Sequence, residues 1–184
     1  ADGAGACTPC AAGTYRAEEG GISVDVCLPC AGGSAAPAQG ASSCSPCAGN
    51  VTVSSGDRTR CESCAAGEAP NADRSGCVAC TPGYFAAAGA ASCSACSAGS
   101  YSDADGAGVC TPCAAGTYRE RSGGSSAEQC SACPEFATSV VGAVSDAACE
   151  CQIGYFWHPA LSICSPCDGA HFACDRGGET LDTL

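Results

Sequence analysis

Large apolar residues recur along this chain once per short unit, not in runs. Tyr15, Phe85, Tyr101, Tyr118, Phe156 and Phe172 each fall five residues after a cysteine. Gly13, Gly33, Gly67, Gly83, Gly99, Gly116 and Gly154 fall three residues after one. Small turn-forming residues, as in "AAAGAASC" and "SDADGAGVC", then lead back to the next cysteine. The pattern predicts a turn at the glycine, a short strand carrying one aromatic, and a second turn. It leaves little or no room for helix. Ala35, Thr52 and Ala69 stand where other units have the aromatic. If each ring covers one disulfide and forms the whole local core, residues 30–77 are the least tightly packed stretch.

The unit is repeated. "CTPCAAGTYR" stands at 7–16 and again, letter for letter, at 110–119. Between and beyond these copies, C-x2-C pairs occur at 7/10, 27/30, 44/47, 61/64, 77/80, 93/96, 110/113, 130/133 and 164/167. Cys149 and Cys151 form a tighter C-x-C, and Cys174 stands alone. Near-even spacing of about 17 residues marks a tandem array, in which each unit packs mainly on its neighbours.

Composition explains what must hold such units together. The hydrophobic fraction is 46%, but Ala and Cys supply most of it, and aromatics are only 5%. Too few large side chains are present to offset chain entropy by burial. Cysteine, at 21 of 184 residues, is dense enough for a disulfide scaffold. Disulfides at this density persist in oxidising compartments, which places the protein outside the cell or on its surface.

Connectivity does not follow from sequence in general, but the arithmetic here suggests one pairing. The second cysteine of each pair bonds the first of the next: Cys10–Cys27, Cys30–Cys44, Cys47–Cys61, Cys64–Cys77, Cys80–Cys93, Cys96–Cys110, Cys113–Cys130, Cys133–Cys149, Cys151–Cys164 and Cys167–Cys174. Ten bonds use 20 of the 21 cysteines and leave Cys7 for an upstream unit or another chain. Each such loop contributes about 3 kcal/mol in the chain-entropy account.

Charge removes several functions. The formal net charge is −12, which repels nucleic acid and anionic membranes. No apolar run approaches the roughly 20 residues of a membrane span. The chain opens at Ala1 without a signal peptide and reads as a mature or partial chain, so any anchor lies outside it.

With these residues in view, C-x2-C-x2-G-[TSY]-[YF] resembles the ephrin-receptor-like cysteine-rich repeat, related to the tumour-necrosis-factor-receptor type of module. The stretch "CSACPEFATSVVGAVSDAACECQIGYF" at 130–156 is similar to the juxtamembrane cysteine-rich region of ephrin receptors. The resemblance implies small disulfide-rich tandem repeats in an extended rod of short β-hairpins and irregular loops. Tandem C-x2-C units then cover 1–133, the closest ephrin-receptor-like unit 130–167, and a truncated unit or tail 168–184. Such repeats also occur in mastigoneme proteins, the filament proteins of algae and protists.

Other chemistries fare worse. Cys27, Cys30, Cys44 and Cys47 approach zinc-ribbon spacing, but the pairs run on evenly where a ribbon would group them in fours. Cys164, Cys167, His171 and Cys174 form the best single metal constellation, and a disulfide beside a surface histidine explains them more simply. Redox C-x2-C chemistry needs a low-pKa thiolate in an electropositive setting, which this acidic chain does not offer. No cofactor and no catalytic residue is expected. "DADG" at 103–106 begins like a calcium loop but has Ala114 where a bidentate Glu belongs, so it reads as a turn. Asn50-Val51-Thr52 is an N-glycosylation sequon, and abundant Ser and Thr leave room for O-linked sugar. Tyr155, Phe156, Trp157 and His158 form an expected contact patch.

Two functions follow as expectations. The first is a non-enzymatic structural subunit of an extracellular glycosylated filament, with itself or other filament subunits as partners. The alternative is a ligand-binding ectodomain stalk of a surface receptor or antigen.

Overall fold

The computed structural model describes residues 8–18, 26–158 and 161–167. Cys7, His171, Phe172 and Cys174 lie outside these residues. The chain forms two compact blocks, one of residues 1–80 with 86–93, the other of 81–85 with 94–184. The described residues contain no α-helix. They fold into nine antiparallel two-stranded hairpins, with two short 3-10 turns at Ala127–Gln129 and Asp146–Ala148.

The motif dictates each hairpin. In the first, Ala11 O accepts the Thr14 amide at 3.1 Å and the Thr14 hydroxyl at 2.7 Å. This closes a β-turn whose third residue, Gly13, has φ +81°, a conformation suited to glycine. Ser34, Ser100 and Thr117 repeat the hydroxyl bond at 2.8, 2.8 and 2.7 Å, which is why G-[TS] follows the pair. The strand Thr14–Tyr15 then pairs with Leu28–Pro29, the two residues inside the next C-x2-C. Each hairpin is therefore shared between consecutive repeats.

Nine disulfides close these hairpins among the described residues: 10–27, 30–44, 47–61, 64–77, 80–93, 96–110, 113–130, 133–149 and 151–164. Every one joins a second cysteine to the first of the following repeat. Cys167 is also disulfide-bonded. The four cysteines of the zinc-like 27–47 spacing sit in three different bridges, so no ribbon site forms.

Neighbouring repeats are joined by backbone hydrogen bonds of fixed pattern. In the first block, Gly13 N donates to Ala36 O and Gly67 N to Ala86 O. In the second, Gly83 N donates to Ser102 O, Gly99 N to Arg119 O and Gly116 N to Ser139 O. A Cβ on Gly99 would run into the carbonyl of Gly142, so close approach as well as φ demands glycine there.

The core differs from expectation in two respects. Most second cysteines are buried, and so are small residues beside the aromatic position, among them Ala36, Ala86, Ser102 and Ser139. Among the described residues no aromatic is fully buried, and Tyr84 is 44% exposed. The rings flank the core; sulfur and small side chains make it.

Nor is 30–77 loosely packed. Val53 is 1% exposed, Ala35 4% and Ala69 3%. Here two arginines reach inward to backbone carbonyls of this stretch. Arg58 Nη1 donates to the Cys30 carbonyl. Arg74 Nη2 donates to Cys47 O at 3.0 Å and Thr52 O at 2.8 Å, with Nε also reaching Thr52 O at 3.0 Å. Elsewhere a loop glycine amide serves the equivalent cysteine carbonyl, as Gly40 does for Cys10 and Gly142 for Cys113. The arginine side chain substitutes for that backbone donor.

Candidate functional site

The C-terminal hairpin pairs Tyr155–His158 with Ile163–Pro166 and is the longest of the nine. Strand alternation divides the expected contact patch between two faces. Tyr155 and Trp157 pack against the cluster of Ala137, Cys151 and Cys164. Phe156 and His158 share the other face, their rings 6.3 Å apart and tilted by 40°. His158 Nδ1 is buried without a hydrogen-bond partner among the described residues.

Tyr155 stacks on Phe136, ring centroids 4.3 Å apart and nearly parallel at 8°. Phe136 occupies the slot that holds glycine in most repeats, and it keeps the backbone of that slot, with φ +60°. Its place three residues after Cys133 marks it, although the residue type departs from the motif.

The C-x-C spacing is explained by register. Cys151 pairs with Ala137, the ladder position that Ala132 or Pro112 fills in other repeats. Gln152 therefore makes the bond to Phe136 O, at 2.8 Å, that a second cysteine makes elsewhere.

Beside this hairpin, within the second block, a groove of about 660 Å3 opens. Tyr118 and Trp157 supply aromatic walls; Pro134, Asp146, Glu150 and Ser162 also line it. Asp146 opens the 3-10 turn Asp146–Ala148, and Glu150 lies in the strand Glu150–Cys151. Both carboxylates are exposed. Tyr118 belongs to the repeat motif and Trp157 to the expected contact patch, whereas Asp146 and Glu150 belong to no motif, and the four meet only through the fold.

The remaining candidates are dispersed. Asn50 is exposed on a turn after Gly49, while the sequon's Thr52 hydroxyl donates to Ala48 O at 2.6 Å. Residues 103–106 form a turn ending at Gly106, φ +71°. No group of three or more His, Cys, Asp or Glu side chains among the described residues is placed to hold a metal ion. Among them, too, no helix is long and apolar enough to cross a membrane.

Repeated hairpins, each closed by a bridge to the next, define a disulfide-rich, cysteine-rich repeat protein. The family model described as tyrosine-protein kinase ephrin type A/B receptor-like matches residues 83–130 and 99–149. None of the curated proteins matches the chain.

Proposed function

We propose that the protein is a non-enzymatic structural subunit of an extracellular glycosylated filament, of the mastigoneme kind. The observation that carries this reading is that the described repeats devote their motif residues to joining neighbours. Second cysteines bridge forward, and glycine amides bond the next repeat's carbonyls. Such units extend without a terminal site, which suits assembly. Asn50, exposed on its turn, carries N-linked sugar in this reading.

A second reading rests on the family match over 83–149: a stalk beneath a ligand-binding surface receptor or antigen. Electron microscopy of native material separates the two. Ordered fibres in which this chain repeats at fixed spacing support the filament. Isolated molecules attached to membrane, without lateral order, favour the stalk.

A further inference from the structure

We infer that the groove between Tyr118 and Trp157 binds an organic cation, the guanidinium of a basic segment from a different protein. Four observations converge on it. Two aromatic residues line one cavity, and the charged residues there, Asp146 and Glu150, are both acids. Ring faces attract cations, and carboxylates form charge-assisted bonds with guanidinium. The cavity, at about 660 Å3, has room for a side chain with its apolar stem along Pro134. The whole chain carries −12, a field that draws basic partners.

The same features disfavour other occupants. Aromatic walls suit a cation with an apolar stem better than a hydrated metal ion. A neutral sugar would stack but leave both carboxylates without a counter-charge. A second copy is a poor donor, since the chain has no Lys and most described arginines are engaged. Arg58, Arg74 and Arg119 donate to carbonyls of their own chain, and Arg60 pairs with Glu62 at 3.3 Å. The inference holds whether the protein is a filament subunit or a stalk.

Trp157 is the sole tryptophan, so its fluorescence reports on the groove directly. The full disulfide-bonded chain is titrated with a hexa-arginine peptide at low salt. A saturable change that weakens as salt is added is expected. Asp146→Asn and Glu150→Gln, both exposed, should each weaken binding about threefold to fivefold. Tyr118→Leu should do so by a similar factor of about threefold. Absence of a saturable change would overturn the inference, as would an unaltered response in the double carboxamide variant. An equal response to a neutral oligosaccharide would reassign the groove to sugar. A change with protein concentration alone would assign it to a second copy and overturn the choice of partner.

Discussion

At the scale of single residues, the two arginines are the least expected part of the structure. Arg74 has φ +57° and spans 22 and 27 residues in sequence to reach the carbonyls of Thr52 and Cys47. Local pattern carries no trace of such distances, which is why the stretch reads as poorly packed from composition alone. The legible sign was the recurrence of Asp57-Arg58-Thr59 as Asp73-Arg74-Ser75, in repeats that lack the ring. Arg74→Ala removes bonds from a charged donor to inward carbonyls and should cost about 2 kcal/mol. Gly33 N and Ser54 N both donate to Arg74 O, so their amide exchange should accelerate about thirtyfold. Arg74→Gly relieves the left-handed backbone, about 1 kcal/mol, and should exchange more slowly than the alanine variant. Equal exchange in both variants would mean that backbone strain plays no part. The loop beneath Arg58 is fixed by Asp57, whose carboxyl is held well below its ordinary value, at about 2. The Ser55 hydroxyl is the largest cause, followed by the amide and hydroxyl of Thr59, against a small opposing effect of burial. A depressed carboxyl stabilises the fold above its unfolded value and loses that contribution as pH falls through the folded one. The loop should therefore loosen between about pH 4 and pH 2. Titration of the Asp57 carboxyl by NMR should give a midpoint near 2, and an ordinary aspartate midpoint would show these bonds absent in solution.

At the scale of the hairpin, sequence and structure agree most closely, because the glycine turn, the strand and the closing cysteines are all local. A β-turn that needs a left-handed third residue announces itself as glycine, and the hydroxyl that doubles its hydrogen bond announces itself as Thr or Ser. The role of the aromatic was legible only in position. Its ring lies beside the core, since two-residue strands bury little beyond the bridge and the small side chains next to it. Phe136 tests this account. It accepts a glycine backbone, at a cost of about 1 kcal/mol, and stacks on Tyr155, which contributes about 0.5–1.5 kcal/mol. Phe136→Gly should thus change stability little, while Phe136→Ala keeps the strained backbone, loses the stack and should be the worse of the two. The ring-current shift of Tyr155 in NMR spectra vanishes in both variants, and thermal melting ranks them. An alanine variant as stable as the glycine variant would show that φ +60° is not imposed on residue 136 by its surroundings.

At the scale of the whole molecule, the question is whether stability is shared or local. The bridges span 13 to 17 residues, so each constrains one short loop between consecutive cysteine pairs, worth about 3 kcal/mol. Beyond these bridges, loops are coupled by the hydrogen-bond ladder, a few backbone bonds at each step, and by the inward arginines. Most of these bonds join adjacent repeats, though Gly33 N to Arg74 O skips one, so damage should spread to directly bonded repeats and then fade. The sequence reveals the period of the array but not this coupling, since the acceptor carbonyls belong to no motif. The bridge Cys80–Cys93 offers the test, because its loop contains Ala86, the acceptor for Gly67 N. Replacing Cys80 and Cys93 together by serine should free that loop and expose the Gly67 amide to exchange. Gly13 N, bonded to Ala36 O, and Gly116 N, bonded to Ser139 O, are more than one step away and should keep their protection. Equal loss at all three amides would instead mean one cooperative body, in which the ladder binds more strongly than the bridges.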